Sequence, residues 1–208
     1  MGSAPISTAF LLASLLAVAL LEVAAKALGM PLWLLAVTRT AQMLVVMTLA
    51  VIQAGGLHVL GLDKKALLPG FKKGLVWSAG FAVVAGLLFL GIFMAGQNPL
   101  VLIRSPLPQA ESQRVLFFFV GGIVAPVAEE IVFRGLIFGY LRRWGLPAAI
   151  LISTALFAAI HLPTIPVTQI VGGIVFAVAY HTGKSLMVPI VIHAMGNLAI
   201  FTLSLPLF

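Results

Sequence analysis

Seven apolar runs, most of them about twenty residues long and separated by charged or Pro/Gly breaks, constrain this 208-residue chain more than any other feature. They lie approximately at 6–28, 31–55, 74–96, 113–140, 147–162, 165–181 and 185–206. A helix needs roughly 20 apolar residues to cross the hydrocarbon of a bilayer. Lipid offers no water to an exposed backbone, so such runs fold as helices, which satisfy their own N–H and C=O groups. Composition agrees: 62% of residues are hydrophobic, 8% are charged and the mean hydropathy is +1.21, against about 45–50% apolar and about 25% charged in soluble domains. The expected fold class is therefore all-α, a polytopic transmembrane helical bundle of about seven spans. With no cysteine the chain is not a disulfide scaffold. Its net charge of +7 does not make it a nucleic-acid binder, because that role needs its basic residues on a water-facing surface.

The fifth run is short, and Pro163 and Pro166 follow it closely. The first run has no Lys or Arg before Lys26, unlike the basic start of a cleaved signal peptide, so it reads as a retained helix. Alternating loops place Lys64, Lys65, Lys72, Lys73, Arg142, Arg143 and Lys184 on one side, and Arg104 and Arg114 on the other. The richer side is cytoplasmic, which puts the N-terminus inside and the C-terminus outside; the membrane is expected to be a prokaryotic plasma membrane. The 57–73 linker mixes apolar residues with four lysines. It reads either as an interfacial segment against anionic lipid or as a solvated loop that sets topology. No inverted repeat of the transporter kind is evident.

Ionisable side chains deep in a span cost about 2.5–3.5 kcal/mol each on insertion scales, so each needs a reason. The fourth run contains AEEIVFRGLIFGY, with Glu129, Glu130 and Arg134 well inside the bilayer. Glu130 and Arg134 are spaced i,i+4 with the carboxylate N-terminal, the better orientation for a helical ion pair. Glu129 is turned about 100° away and has no cation at i+3 or i+4, so it is the carboxylate available as a base or ligand. The competing reading is a packing salt bridge with a neutral second glutamate. His161 closes the fifth run in FAAIHLP, and His193 and Asn197 share a helix face in VPIVIHAMGNLAIF. Counted from the cytoplasmic positives at 1.5 Å per residue, these groups fall within about two helical turns of one depth. Glu22 and Lys26 form a second i,i+4 pair that reads as structural. Arg39 shares a face with Gln42 and calls for a carboxylate from another helix.

EEIVFR at 129–134, FAAIH at 157–161 and HAMGN at 193–197 together resemble the CAAX-protease and bacteriocin-processing (CPBP, Abi-domain) family of intramembrane endopeptidases. The motifs E-E-x3-R, F-x3-H and H-x3-N are complete and in order, with Gly135 and the T-G-x-S-L stretch at 182–186 beside them. The resemblance covers roughly 112–203 and implies a C-terminal four-helix catalytic core there, with 1–111 supplying N-terminal helices and the basic linker. It implies that Glu129 activates water, that His161 holds or polarises that water, and that Glu130 and Arg134 support the site. His193 and Asn197 would stabilise an oxyanion, or His193 would join His161 in a zinc site. A catalytic zinc keeps an open fourth position, but using Glu129 as base leaves only two histidines as ligands. A metal-free mechanism fits the same residues. The implied partners are the lipid bilayer and a membrane-associated or lipid-anchored protein or peptide substrate, reached through a site opening toward the cytoplasm. The alternatives are a non-catalytic membrane immunity or regulatory protein that binds such peptides, and a proton-coupled carrier. The oligomeric state is not encoded in any of these features.

Overall fold

The computed structural model describes residues 6–162 and 167–205, and all regular structure among them is helical. Seven principal helices follow in order: α1 (Thr8–Ala27), α2 (Leu32–Ala54), α3 (Lys64–Met94), α4 (Glu111–Trp144), α5 (Leu146–Ala159), α6 (Val167–Gly183) and α7 (Met187–Leu203). The first four are long and apolar enough to cross a membrane, and α5 to α7 are apolar but shorter, at 14, 17 and 17 residues. The chain is an integral membrane protein by this length and composition.

Two boundaries depart from the sequence expectation. Helix α3 starts at Lys64, ahead of the expected 74, so the lysines of the 57–73 segment sit in its first turns. Hydropathy marks where hydrocarbon begins, whereas the helix begins where Asp63 caps it by accepting a hydrogen bond from Lys65 N at 2.9 Å. Only 57–60 remains separate, as a short 3-10 turn. Helix α5 ends at Ala159, so His161 lies in the turn that follows. The expected break at Pro163 and Pro166, the expected start of the sixth run at 165 and the expected end of the seventh at 206 lie outside the described residues.

The helices are apolar on the outside. Leu12, Leu16, Leu20 and Val23 make an exposed stripe along α1 at helical spacing, the reverse of a soluble amphipathic helix. Helix α4 is the central element, and all eight residues from Ile131 to Phe138 are buried. A helix enclosed on every side can be apolar all round, which explains the run IVF-GLIF on either side of Arg134. Two stretches of α4, Val120–Val124 and Ile131–Phe138, are π-helical. Such widened turns are rare and collect at functional sites.

The N-terminal half packs into the same core. Ile6, Phe10, Val46 and Leu60 join Leu136, Phe138, Phe157 and Leu186 in one buried cluster. Gly61 takes a left-handed conformation (φ 80°), and its carbonyl accepts Leu186 N at 2.9 Å. A side chain there would meet the Tyr180 hydroxyl at 2.5 Å, so only glycine fits. Ser185 Oγ donates to the Ala66 carbonyl at 3.1 Å. Gly70 and Gly74 are the buried face of α3, against Ser185 and Val191 near the start of α7. Between α1 and α2, Arg39 Nη1 donates to Glu22 Oε2 at 2.6 Å and to Gln42 Oε1 at 2.7 Å. Glu22 is the carboxylate that Arg39 called for, and Lys26 lies 3.7 Å from its other oxygen.

Candidate active site

The site is built outward from Glu130. Its Oε1 accepts Arg134 Nη1 at 3.0 Å within α4 and faces His193 Nδ1 of α7 at 2.9 Å. Glu130 and Arg134 side chains are completely buried. An isolated buried charge is costly, and a buried pair persists only with good geometry and further hydrogen bonds. Arg134 has both, since Nη2 donates to the Gly173 carbonyl of α6 at 3.2 Å. Its guanidinium also lies 4.5 Å from the ring centroid of Phe157 on α5 and 5.2 Å from that of Phe176 on α6. Arg134 thus ties α4 to α5 and α6.

His193 is the second hub. Glu130 Oε1 already accepts from Arg134, so in the same role it accepts the His193 Nδ1–H, and the ring presents Nε2 to Glu129. That nitrogen is 3.8 Å from Glu129 Oε2. Phe176 stacks on the imidazole with 4.7 Å between centroids and 22° between planes, and Phe157 meets it edge-on at 5.7 Å. Glu129 keeps 16% of its side chain exposed where Glu130 keeps none, so adjacent carboxylates occupy different surroundings. Glu130 Oε2 is buried with no hydrogen-bond partner among the described residues.

Asn197, one turn beyond His193, donates from Nδ2 to the Gly121 carbonyl of α4 at 2.8 Å. A carboxamide nitrogen carries two N–H donors, so one remains for another acceptor. His161 is half-buried, its Nδ1 is 2.8 Å from the Phe157 carbonyl, and its ring lies 5.0 Å from that of Phe157. The carbonyl can only accept, so Nδ1 carries a proton.

Among the described residues, no three His, Cys, Asp or Glu side chains group so as to hold a metal ion. His161 and His193 thus have no third protein donor grouped with them among the described residues, and Glu129, Glu130 and His193 supply groups suited to acid–base chemistry. Glu129, Glu130, Arg134 and His193 come together, with Phe157 joining His161 to them through ring contacts. Phe176, Gly173 and Gly121 were not anticipated. Apolar and glycine residues in an apolar wall offer no contrast to a sequence reading, although Gly172-Gly173 and Gly121-Gly122 are visible as small-residue pairs that let helices approach.

Comparison with known proteins bears on this arrangement. Residues 111–199 match the family described as Type II CAAX prenyl endopeptidase Rce1-like. This stretch is similar to the Rce1-like family. Every side chain of the site described in this section falls within the matched stretch. The chain is also 30% identical over 148 residues to the membrane-embedded CAAX protease MroQ of Staphylococcus aureus, covering 64% of this chain and 57% of that protein. It is 37% identical over 84 residues to the putative membrane peptidase YdiL of Bacillus subtilis, covering 39% of this chain and 34% of that protein. The matches thus span about half or less of each curated relative. No solved structure matches the chain at a significant level.

Proposed function

We propose that the chain is an intramembrane endopeptidase that hydrolyses a peptide bond of a membrane-associated or lipid-anchored substrate, with Glu129 as the base. The observation that supports this most is the meeting of two adjacent, differently placed carboxylates on one histidine. Glu130 is locked to Arg134 and fixes the His193 ring, while Glu129 is partly exposed and 3.8 Å from the other ring nitrogen. One carboxylate is structural and its neighbour is left for chemistry.

In this reading Glu129 takes a proton from water as the water oxygen attacks the scissile carbonyl, with His161 helping to hold the water. The carbonyl oxygen becomes an oxyanion, which Asn197, through its remaining N–H, and His193 stabilise. Glu129 then returns the proton to the departing amine as the C–N bond breaks, which leaves the carboxylate ready for the next water. The spans cross with the N-terminus in the cytoplasm, and residues 112–203 form the catalytic core on the framework of 1–111.

The test is cleavage of membrane-tethered reporter peptides, including ones ending in a prenylated Cys-a-a-X sequence, by the purified full chain. Glu129→Gln should abolish cleavage while thermal unfolding in detergent is unchanged, and cleavage should persist in 1,10-phenanthroline. Hydrolysis that survives in Glu129→Gln would remove Glu129 as base. Tight binding of the peptides without hydrolysis would favour the immunity or regulatory alternative.

A further inference from the structure

Helix α3 presents two opposed faces in its first three turns. Gly70 and Gly74 are buried against α7. At about 100° per residue, Lys65 and Lys72 fall opposite Gly70 and Gly74 while Lys64 and Lys73 flank them on the two sides of the helix, and all four are exposed. None has a carboxylate within ion-pair distance among the described residues, although Glu22 and Glu130 each collect a cation elsewhere. Leu68, Phe71 and Leu75 lie along the edge of the lysine face and are 64%, 44% and 42% exposed. Beyond them the helix continues as an apolar span to Met94, with Val76, Val83, Val84 and Leu87 also exposed.

We infer that the lysine face of α3 is a binding site for anionic phospholipid headgroups. Each lysine extends a flexible apolar stem over the neighbouring leucines and carries its ammonium to phosphate depth, while the lipid's acyl chains lie along Leu68, Leu75 and Val76. A water-borne acidic peptide would satisfy the ammonium groups but leave that apolar edge uncovered, so the mixed chemistry fits a lipid. Four to eight clustered basic residues at the cytoplasmic end of a span are the pattern that attracts anionic lipid. The structural observation is that all four lysines are exposed and that Lys65 and Lys72, about two turns apart, lie opposite the buried Gly70 and Gly74. Had they served only as a solvated connection, nothing would require Lys65 and Lys72 to share that face. The inference does not depend on the hydrolytic reading.

Native mass spectrometry of the full chain released from nanodiscs of equal phosphatidylglycerol and phosphatidylcholine reads the preference directly. Retained phosphatidylglycerol should exceed phosphatidylcholine by at least about fivefold, the factor expected for one lysine at an anionic surface. Substituting all four lysines by glutamine should abolish the excess, and substituting all four by arginine should preserve it. Glutamine at Arg104, Arg142 and Lys184 should leave it in place, which separates a local site from net charge. Equal retention of the two lipids by the native chain, equal loss in both glutamine variants, or displacement of the lipid by soluble polyglutamate would each overturn the proposal. Insertion and orientation are already complete in these samples, so a purely topogenic role for the lysines predicts no lipid preference.

Discussion

At the scale of single residues, Arg134 carries the largest structural burden. It is completely buried, bonded to Glu130 and Gly173, and set against Phe157 and Phe176. Arg134→Ala would leave Glu130 a buried charge without its guanidinium, so stability should fall by about 3–5 kcal/mol, measured by reversible unfolding in detergent. Arg134→Lys retains the charge but not the planar fork or the face-to-ring contact, and should recover only part of that loss. Phe176 acts more narrowly, because its ring lies parallel to the His193 imidazole. Phe176→Leu preserves apolar volume without the stacked plane, and should lower kcat by roughly tenfold or more with KM little changed, as small misplacements of a reacting group do. A fall in stability with kcat intact would make Phe176 mere filling. The Glu130–Arg134 pair was legible in the sequence because both members lie on one helix at i,i+4. The His193 partnership with both glutamates was not, because 63 residues separate His193 from Glu130 and only the packing of α7 on α4 brings them together.

Among the elements, α3 and α7 show how glycine spacing sets a helix contact. A methyl added at Gly74 would sit 2.6 Å from Val191 Cβ and 3.1 Å from the Val188 carbonyl. Backbone cannot yield as a side-chain end can, so Gly74→Ala should cost about 1–3 kcal/mol. Six residues on, Gly80 has nothing within 4 Å of that position. There alanine removes only glycine's entropic handicap, so Gly80→Ala should be neutral or stabilising by up to about 1 kcal/mol. Thermal unfolding of the two variants side by side distinguishes close packing from a general intolerance of substitution in α3. The seven helices were readable from hydropathy because lipid demands long apolar runs. The true start of α3 was not, since lysine opposes hydrocarbon but suits a helix. The π-helical stretches of α4 also left no sequence trace, because a change in backbone register needs no change in residue type.

The whole molecule does not divide at the edge of its family match. Ile6, Phe10, Val46 and Leu60 share a core with Leu136, Phe138 and Phe157, and Arg143 reaches back to the Ile6 carbonyl while Tyr140 meets Thr8. Residues 112–203 expressed alone should therefore give no monodisperse protein, and co-expression with 1–111 should restore it, as size-exclusion chromatography in detergent would show. A stable, folded 112–203 fragment would mean that the N-terminal helices are an appendage. Arg39 and Arg134 also share an order along the chain. Arg39 is neutralised by Glu22 and Arg134 by Glu130, and in both cases the carboxylate comes first. A chain made from its N-terminus therefore never delivers either guanidinium to the bilayer ahead of its counter-ion. During synthesis the α1–α2 pair already holds the counter-ion of Arg39 as it emerges, and α4 neutralises Arg134 within about a single turn. His193 emerges after them, when the acidic cradle that receives it is already in place.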